Sequence, residues 1–147
     1  MATPKLKVLF LCTGNACRSQ MAEGWARHLR GDRVEPFSAG VDPHRLNPLA
    51  VQVMAECGVD IAGHTSKHVD TLSDIALDIV VTVCGHAHET CPVFPEPTRV
   101  VHVGFDDPPT LAMTAQSEAE ALTHYRRVRD EIKTFVENLP DNLDLKK

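Results

Sequence analysis

Leu6-Lys7-Val8-Leu9-Phe10-Leu11, followed at once by Cys12-Thr13-Gly14-Asn15-Ala16-Cys17-Arg18-Ser19, decides how this chain folds. The first six residues form a nearly continuous apolar run, the pattern of a strand buried on both faces of a parallel sheet. The second stretch has the form C-x5-R-S. It leads into Gln20 to Leu29, where Met21, Trp25 and Leu29 recur on one helical face. A loop between a buried strand and a helix N-terminus can turn several backbone N–H groups toward one tetrahedral anion. Gly14 and Asn15 are residue types that tolerate the positive φ of such a curl. Arg18 can close it with a charge-assisted fork. The expected oxyanion-binding residues are therefore Thr13, Gly14, Asn15, Ala16, Cys17 and Arg18, with the Cys17 side chain given no role of its own. Cys12 is the expected nucleophile, because the same donors and the Ser19 hydroxyl favour its thiolate.

Working outward, Val34 to Ser38 reads as a short strand that Pro36 confines to a sheet edge. Asn47-Pro48 forms an N-cap and N1 pair opening a helix that runs toward Gly58. Ile79 to Val83 is a second buried strand, and Arg99 to Val103 a more alternating one for the other edge. The last helix starts at Ser117, whose spacing to Glu120 fits a capping box, and runs to about Leu139, where Pro140 stops it. Strands alternating with helices imply right-handed βαβ units. The expected fold is an α/β four-stranded parallel sheet of order 2-1-3-4 with helices on both faces. Its switch point lies between strands one and three, where ligands bind at the carboxyl ends. Cys12 follows strand one and Cys84 follows strand three. Neighbouring strands are about 4.8 Å apart and a disulfide wants Cα atoms roughly 5.5–6 Å apart, so the two sulfurs could meet with little backbone motion.

The 147 residues carry a formal net charge of −5, with no long basic stripe, which sets nucleic-acid binding aside. No repeat or linker divides the chain, so residues 1–147 are read as one domain, expected to act as a monomer. No apolar run approaches the roughly 20 residues of a membrane span. The N-terminal residues lack the pattern of a signal peptide, which places the chain in the cytoplasm. The five cysteines are Cys12, Cys17, Cys57, Cys84 and Cys91. An odd number in a cytosolic chain argues against a structural disulfide framework. A zinc knuckle from Cys84, His86, His88 and Cys91 lacks the usual C-x2-4-C pair, so no metal site is assigned. Cys57, before Gly58 at a helix end, reads as a small buried residue.

The loop CTGNACRS resembles that of the low-molecular-weight protein tyrosine phosphatases. The longer run FLCTGNACRSQMAEGWAR resembles the thioredoxin-coupled arsenate reductases built on the same fold. The likeness continues through VVTVCGHAHETCP and VGFDDP to YRRVRDEI, essentially the whole chain. It implies reduction of arsenate to arsenite, in arsenic detoxification, by a relay of Cys12, Cys84 and Cys91 with thioredoxin as electron donor and no tightly bound cofactor. The alternative is a low-molecular-weight protein tyrosine phosphatase, which would use Cys12, Arg18 and Asp107 and leave Cys84 and Cys91 idle. Phe105-Asp106-Asp107-Pro108 follows strand four on the carboxyl-end face, and the resemblance makes Asp107 the general acid. A seven-residue separation on an intact helix is roughly 10.5 Å. The segment from Cys84 to Cys91, with Gly85 as hinge and Pro92 and Pro95 stopping any helix, is therefore expected to bend for a disulfide to form.

Some arsenate reductases of this kind hold a potassium ion beside the loop. The resemblance puts its ligands at Asn15, Glu23, Ser38 and Thr65-Ser66-Lys67. Lys67 stands where an acidic ligand is expected. Its ammonium, with a compact charge and three donors, is expected to take over the role of the cation.

Overall fold

A computed structural model describes residues 5–85, 91, 93–94 and 97–143. Four strands, β1 (Leu6–Cys12), β2 (Val34–Gly40), β3 (Ile79–Thr82) and β4 (Arg99–His102), form one sheet of order β2-β1-β3-β4. All three pairings are parallel, with Leu9 opposite Phe37 on one side and Val80 on the other. This is the order expected from the sequence. Val8, Leu9, Phe10 and Leu11 have no exposed surface, so β1 is covered on both faces although its side chains alternate. Pro36 sits on β2, an edge strand where its missing N–H leaves no central ladder bond unmade.

Helix α1 (Arg18–Arg30) begins two residues earlier than its apolar pattern. Helix α2 (Pro48–Ala55) is capped by Asn47, whose side chain accepts from the amides of Leu49 and Ala50. Gly58 takes φ +78° beyond it, a left-handed turn residue. A 3-10 turn at Val69–Leu72 and a short helix α3 (Pro108–Ala112) have no periodic signal in the sequence. Helix α4 (Glu118–Glu137) starts where Ser117 Oγ accepts from the Glu120 amide. It packs along α1 and also touches α2 and α3. Trp25 joins α1 to α4, its indole N–H donating to the Arg129 carbonyl at 3.2 Å. Burying side chains of this size contributes roughly 1.5–3 kcal/mol each. Cys57 is exposed, which corrects the sequence reading: it follows the last turn of α2, beyond the face that meets the core. Among the described residues no helix is long and apolar enough to cross a membrane.

Candidate active site

Residues 12–18 close a loop at the carboxyl end of β1, and its carbonyls show how. Those of Cys12, Thr13, Gly14 and Ala16 accept from the amides of Val41, Asp42, His44 and Asn47 at 3.2, 2.8, 2.8 and 2.9 Å. The Asn15 carbonyl accepts from Gln20 Nε2 at 3.0 Å and from the Ser66 hydroxyl at 2.7 Å. The Cys17 carbonyl accepts from the Met21 amide. In a trans peptide the N–H points opposite the preceding C=O. Carbonyls drawn outward therefore turn the amides of residues 13–18 to the inside of the loop. No side chain caps α1, so its first amides add to the same concavity.

Asn15 holds the tightest point, with φ 50°. Its side chain is fully buried: Oδ1 accepts from the Lys67 amide at 2.9 Å and Nδ2 donates to Ser19 Oγ at 2.9 Å. Gly14, also expected to take positive φ, does not. It is small for another reason, since a Cβ there would lie 2.7 Å from His44 Cδ2. Cys12 is buried, with Sγ 2.9 Å from Ser19 Oγ and accepting from the Asn15 amide at 3.2 Å. Ser19 Oγ already accepts from Asn15 Nδ2, which leaves its hydroxyl proton available to the sulfur. Cys17 faces the core. Burial raises its thiol far above the usual range, with smaller contributions from Asp107 and Cys12.

Arg18 spans the mouth. Nη1 donates to the Phe105 carbonyl at 2.9 Å and Nη2 lies 3.3 Å from Asp107 Oδ1, while Nε is buried with no partner. A buried donor left without an acceptor is costly unless a ligand supplies one. The two aspartates separate cleanly. Asp106 turns away to Arg127 at 3.0 Å, whereas Asp107 lines the cleft with Cys12 and accepts from the Thr110 hydroxyl at 2.6 Å. The cleft measures about 770 Å³ and is bounded further by His44, Arg45, Leu46, Asn47 and Pro109.

Cys84 follows β3 and is buried, its Sγ 3.3 Å from the hydroxyl of Thr13, the residue after Cys12. Cys91 is half-buried, and desolvation pushes its thiol up. The expected bending of the connecting segment falls largely on His86 to Thr90, Pro92 and Pro95, which lie outside the described residues. The same holds for His86 and His88 of the zinc alternative.

Lys67 behaves as an internal cation. Nζ donates to the Ser38 and Thr65 carbonyls, each at 3.0 Å, and Ser38 Oγ donates to Glu23 Oε1 at 2.5 Å. Desolvation pulls the ammonium below its usual range while the Glu23 carboxylate pushes it back up. It touches Asn15 through its backbone amide and reaches Glu23 by way of Ser38. Carbonyls already engaged by an ammonium do not fit a potassium ion, which the same charge would repel. Replacing potassium by sodium at fixed ionic strength is accordingly expected to leave turnover and melting temperature unchanged. A clear gain specific to potassium would contradict this arrangement.

Sequence reasoning missed Gly40, Gln20, Thr110 and the supporting run 41–47. Only Gly40 carried a signal, as a glycine at the end of a strand pointing at the switch point.

The chain is 50% identical to an arsenate reductase of Bacillus subtilis over 127 residues, 85% of this chain and 88% of that protein. Among solved structures it resembles an arsenate reductase in the phosphate-binding state. That match has a TM-score of 0.69 and 33% identity, covering 91% of this chain and 95% of the other. It also resembles a thioredoxin-dependent arsenate reductase of Corynebacterium glutamicum, with a TM-score of 0.63 and 27% identity, over 93% of this chain and 64% of that one. The model of the low molecular weight phosphotyrosine protein phosphatases matches residues 7–147. That span holds all of the sheet but Leu6 and every residue of the anion loop, and the chain belongs to the low molecular weight phosphotyrosine protein phosphatase family.

Proposed function

We propose that this chain reduces arsenate to arsenite, with electrons supplied by thioredoxin by way of Cys91 and Cys84. The observation that carries the reading is the second thiol, Cys84, buried against Thr13 at the carboxyl end of the strand beside the nucleophile. A phosphatase needs the anion loop, Arg18 and Asp107, but it has no use for a sulfur there. The named arsenate reductases among the relatives support the same substrate, and the thioredoxin-dependent one supports the same donor.

In this mechanism the inward amides of residues 13–18 and the Arg18 guanidinium hold the oxyanion. The Cys12 thiolate attacks arsenic and one oxygen leaves as water, taking a proton from Asp107. The Cys84 thiolate then attacks Cys12 Sγ. A sulfur–sulfur bond forms, the arsenic–sulfur bond breaks with its electron pair kept by arsenic, and arsenite departs as As(III). Cys91 attacks Cys84 Sγ and frees Cys12 as thiolate. Thioredoxin reduces the Cys84–Cys91 disulfide with its own two thiols. Ser19 acts by its hydrogen bond to Cys12. Residues 1–147 serve as one catalytic domain.

The test is arsenate-dependent NADPH oxidation with thioredoxin and thioredoxin reductase, comparing the wild type with Cys12→Ser, Cys84→Ser and Cys91→Ser. Sustained turnover in the wild type and its loss in all three variants is the expected result. Turnover indifferent to Cys84 and Cys91, or phosphoester hydrolysis alone, would assign the site to a phosphatase.

A further inference from the structure

Arg45 stands at the mouth of the cleft on a segment pinned to the anion loop on both sides. The His44 amide donates to the Gly14 carbonyl at 2.8 Å and the Asn47 amide to the Ala16 carbonyl at 2.9 Å. Arg45 thus rides on the wall of the loop. It lines both the cleft over Cys12 and a neighbouring cavity of about 740 Å³ bordered by His64, Thr65 and Ser66. The other arginines near the loop are matched, Arg18 to Asp107 at 3.3 Å and Arg27 to Glu23 at 2.9 Å. Among the described residues Arg45 has no such counter-charge and no hydrogen bond.

An oxyanion dianion approaching this molecule meets a formal net charge of −5. At distances beyond a Debye length of roughly 10 Å that repulsion is screened, and closer in the local charges decide. One unmatched guanidinium at the rim adds positive potential where the anion must enter.

We propose that Arg45 is a substrate-binding residue that captures the tetrahedral oxyanion at the rim and delivers it to the Arg18 loop. For arsenate as the anion this rests on the function proposed above, whereas the capture itself extends to any tetrahedral dianion. Arg45 attracts the bound anion and the transition state equally, since the arsenic–sulfur bond forms deeper, at Cys12. Its contribution is uniform binding, which enters KM and not kcat.

The experiment compares the full chain carrying Arg45→Ala, Arg45→Lys and Arg45→Glu with the wild type in two readouts. One is KM and kcat for arsenate in the thioredoxin-coupled assay. The other is protection of Cys12 from alkylation by inorganic phosphate, read on the Cys12 peptide because the exposed Cys57 would be alkylated as well. In Arg45→Ala both KM and the half-protecting phosphate concentration should rise roughly three- to tenfold. The rise should be larger in Arg45→Glu and small in Arg45→Lys, with kcat within about twofold. The differences should shrink as salt rises from about 0.05 to about 0.5 M. Unchanged KM and phosphate protection in the alanine and glutamate variants would overturn the proposal, as would a loss independent of salt and shared by kcat. Should the wild type not turn over arsenate, the substrate reading fails while phosphate protection still decides the role of Arg45.

Discussion

Replacing Arg18 by alanine is expected to lower kcat/KM for arsenate by roughly a thousandfold, and replacing it by lysine to recover only part of that. Removing a single preorganised donor from an oxyanion site costs on the order of 10²–10³ in rate. Arg18 contributes both charge and geometry. Its side chain is only 13% exposed, two of its nitrogens are fixed by the Phe105 carbonyl and Asp107, and the third has no partner. The Phe105 end is itself held, since the Phe105 ring meets Phe135 of α4 edge-on at 6.0 Å. Lysine keeps the charge but cannot present a planar fork to the anion, the carbonyl and the carboxylate at once. Steady-state kinetics with arsenate and protection of Cys12 by phosphate would measure the effect. A lysine variant within about threefold of the wild type would show that charge alone suffices, against the fork argued here.

Gly40→Ala should disable the site without touching any reacting group. A Cβ at position 40 would lie 2.5 Å from the Thr13 carbonyl oxygen, 2.9 Å from the Asn15 nitrogen and 3.0 Å from the Gly14 carbonyl carbon. All three are backbone atoms of the anion loop, so no rotamer change relieves the contact and the loop itself must move. Overpacking of this kind costs roughly 1–3 kcal/mol. In a chain of this size that corresponds to a fall in Tm of several degrees, at about 2–4 °C per kcal/mol. Relieving the 2.5 Å contact moves the loop by ~1 Å, which should lower activity about a hundredfold. Gly63→Ala is the control, because nothing lies within 4 Å of a Cβ there and its φ is ordinary. It should leave both Tm and turnover unchanged. Equal behaviour of the two variants would show that the loop tolerates displacement.

Much of the architecture was legible because local patterns and the global fold agree. Two continuous apolar runs could only be the central strands, Pro36 could only sit on an edge, and Asn47-Pro48 and Ser117 begin helices where expected. The features that were not legible all depend on distant segments meeting. Cys57 is exposed because α2 ends before it, and no periodicity announces that. Gly14 and Asn15 looked equivalent by residue type, yet only Asn15 takes the left-handed conformation, held through its side chain by Lys67 and Ser19.

The sequence by itself determined the sheet order, the place of Cys12 between a buried strand and a helix, an arginine six residues after it, a second thiol following β3 and a third seven residues further on. These follow from hydrophobic periodicity and chain connectivity, which act locally. Only the tertiary structure decided what parts the two aspartates, which carbonyls the Lys67 ammonium reaches, and why the loop amides point inward. Asp106 and Asp107 differ by one residue, but Arg127 of α4 takes the first and Arg18 the second. The amides of residues 13, 14, 15 and 17 turn inward because residues 41–47, beyond the end of β2, draw the preceding carbonyls outward, and Gln20 and Ser66 do the same for the amide of residue 16. A hydrogen bond is satisfied by whichever partner the fold brings within about 3 Å, and sequence separation places no limit on that.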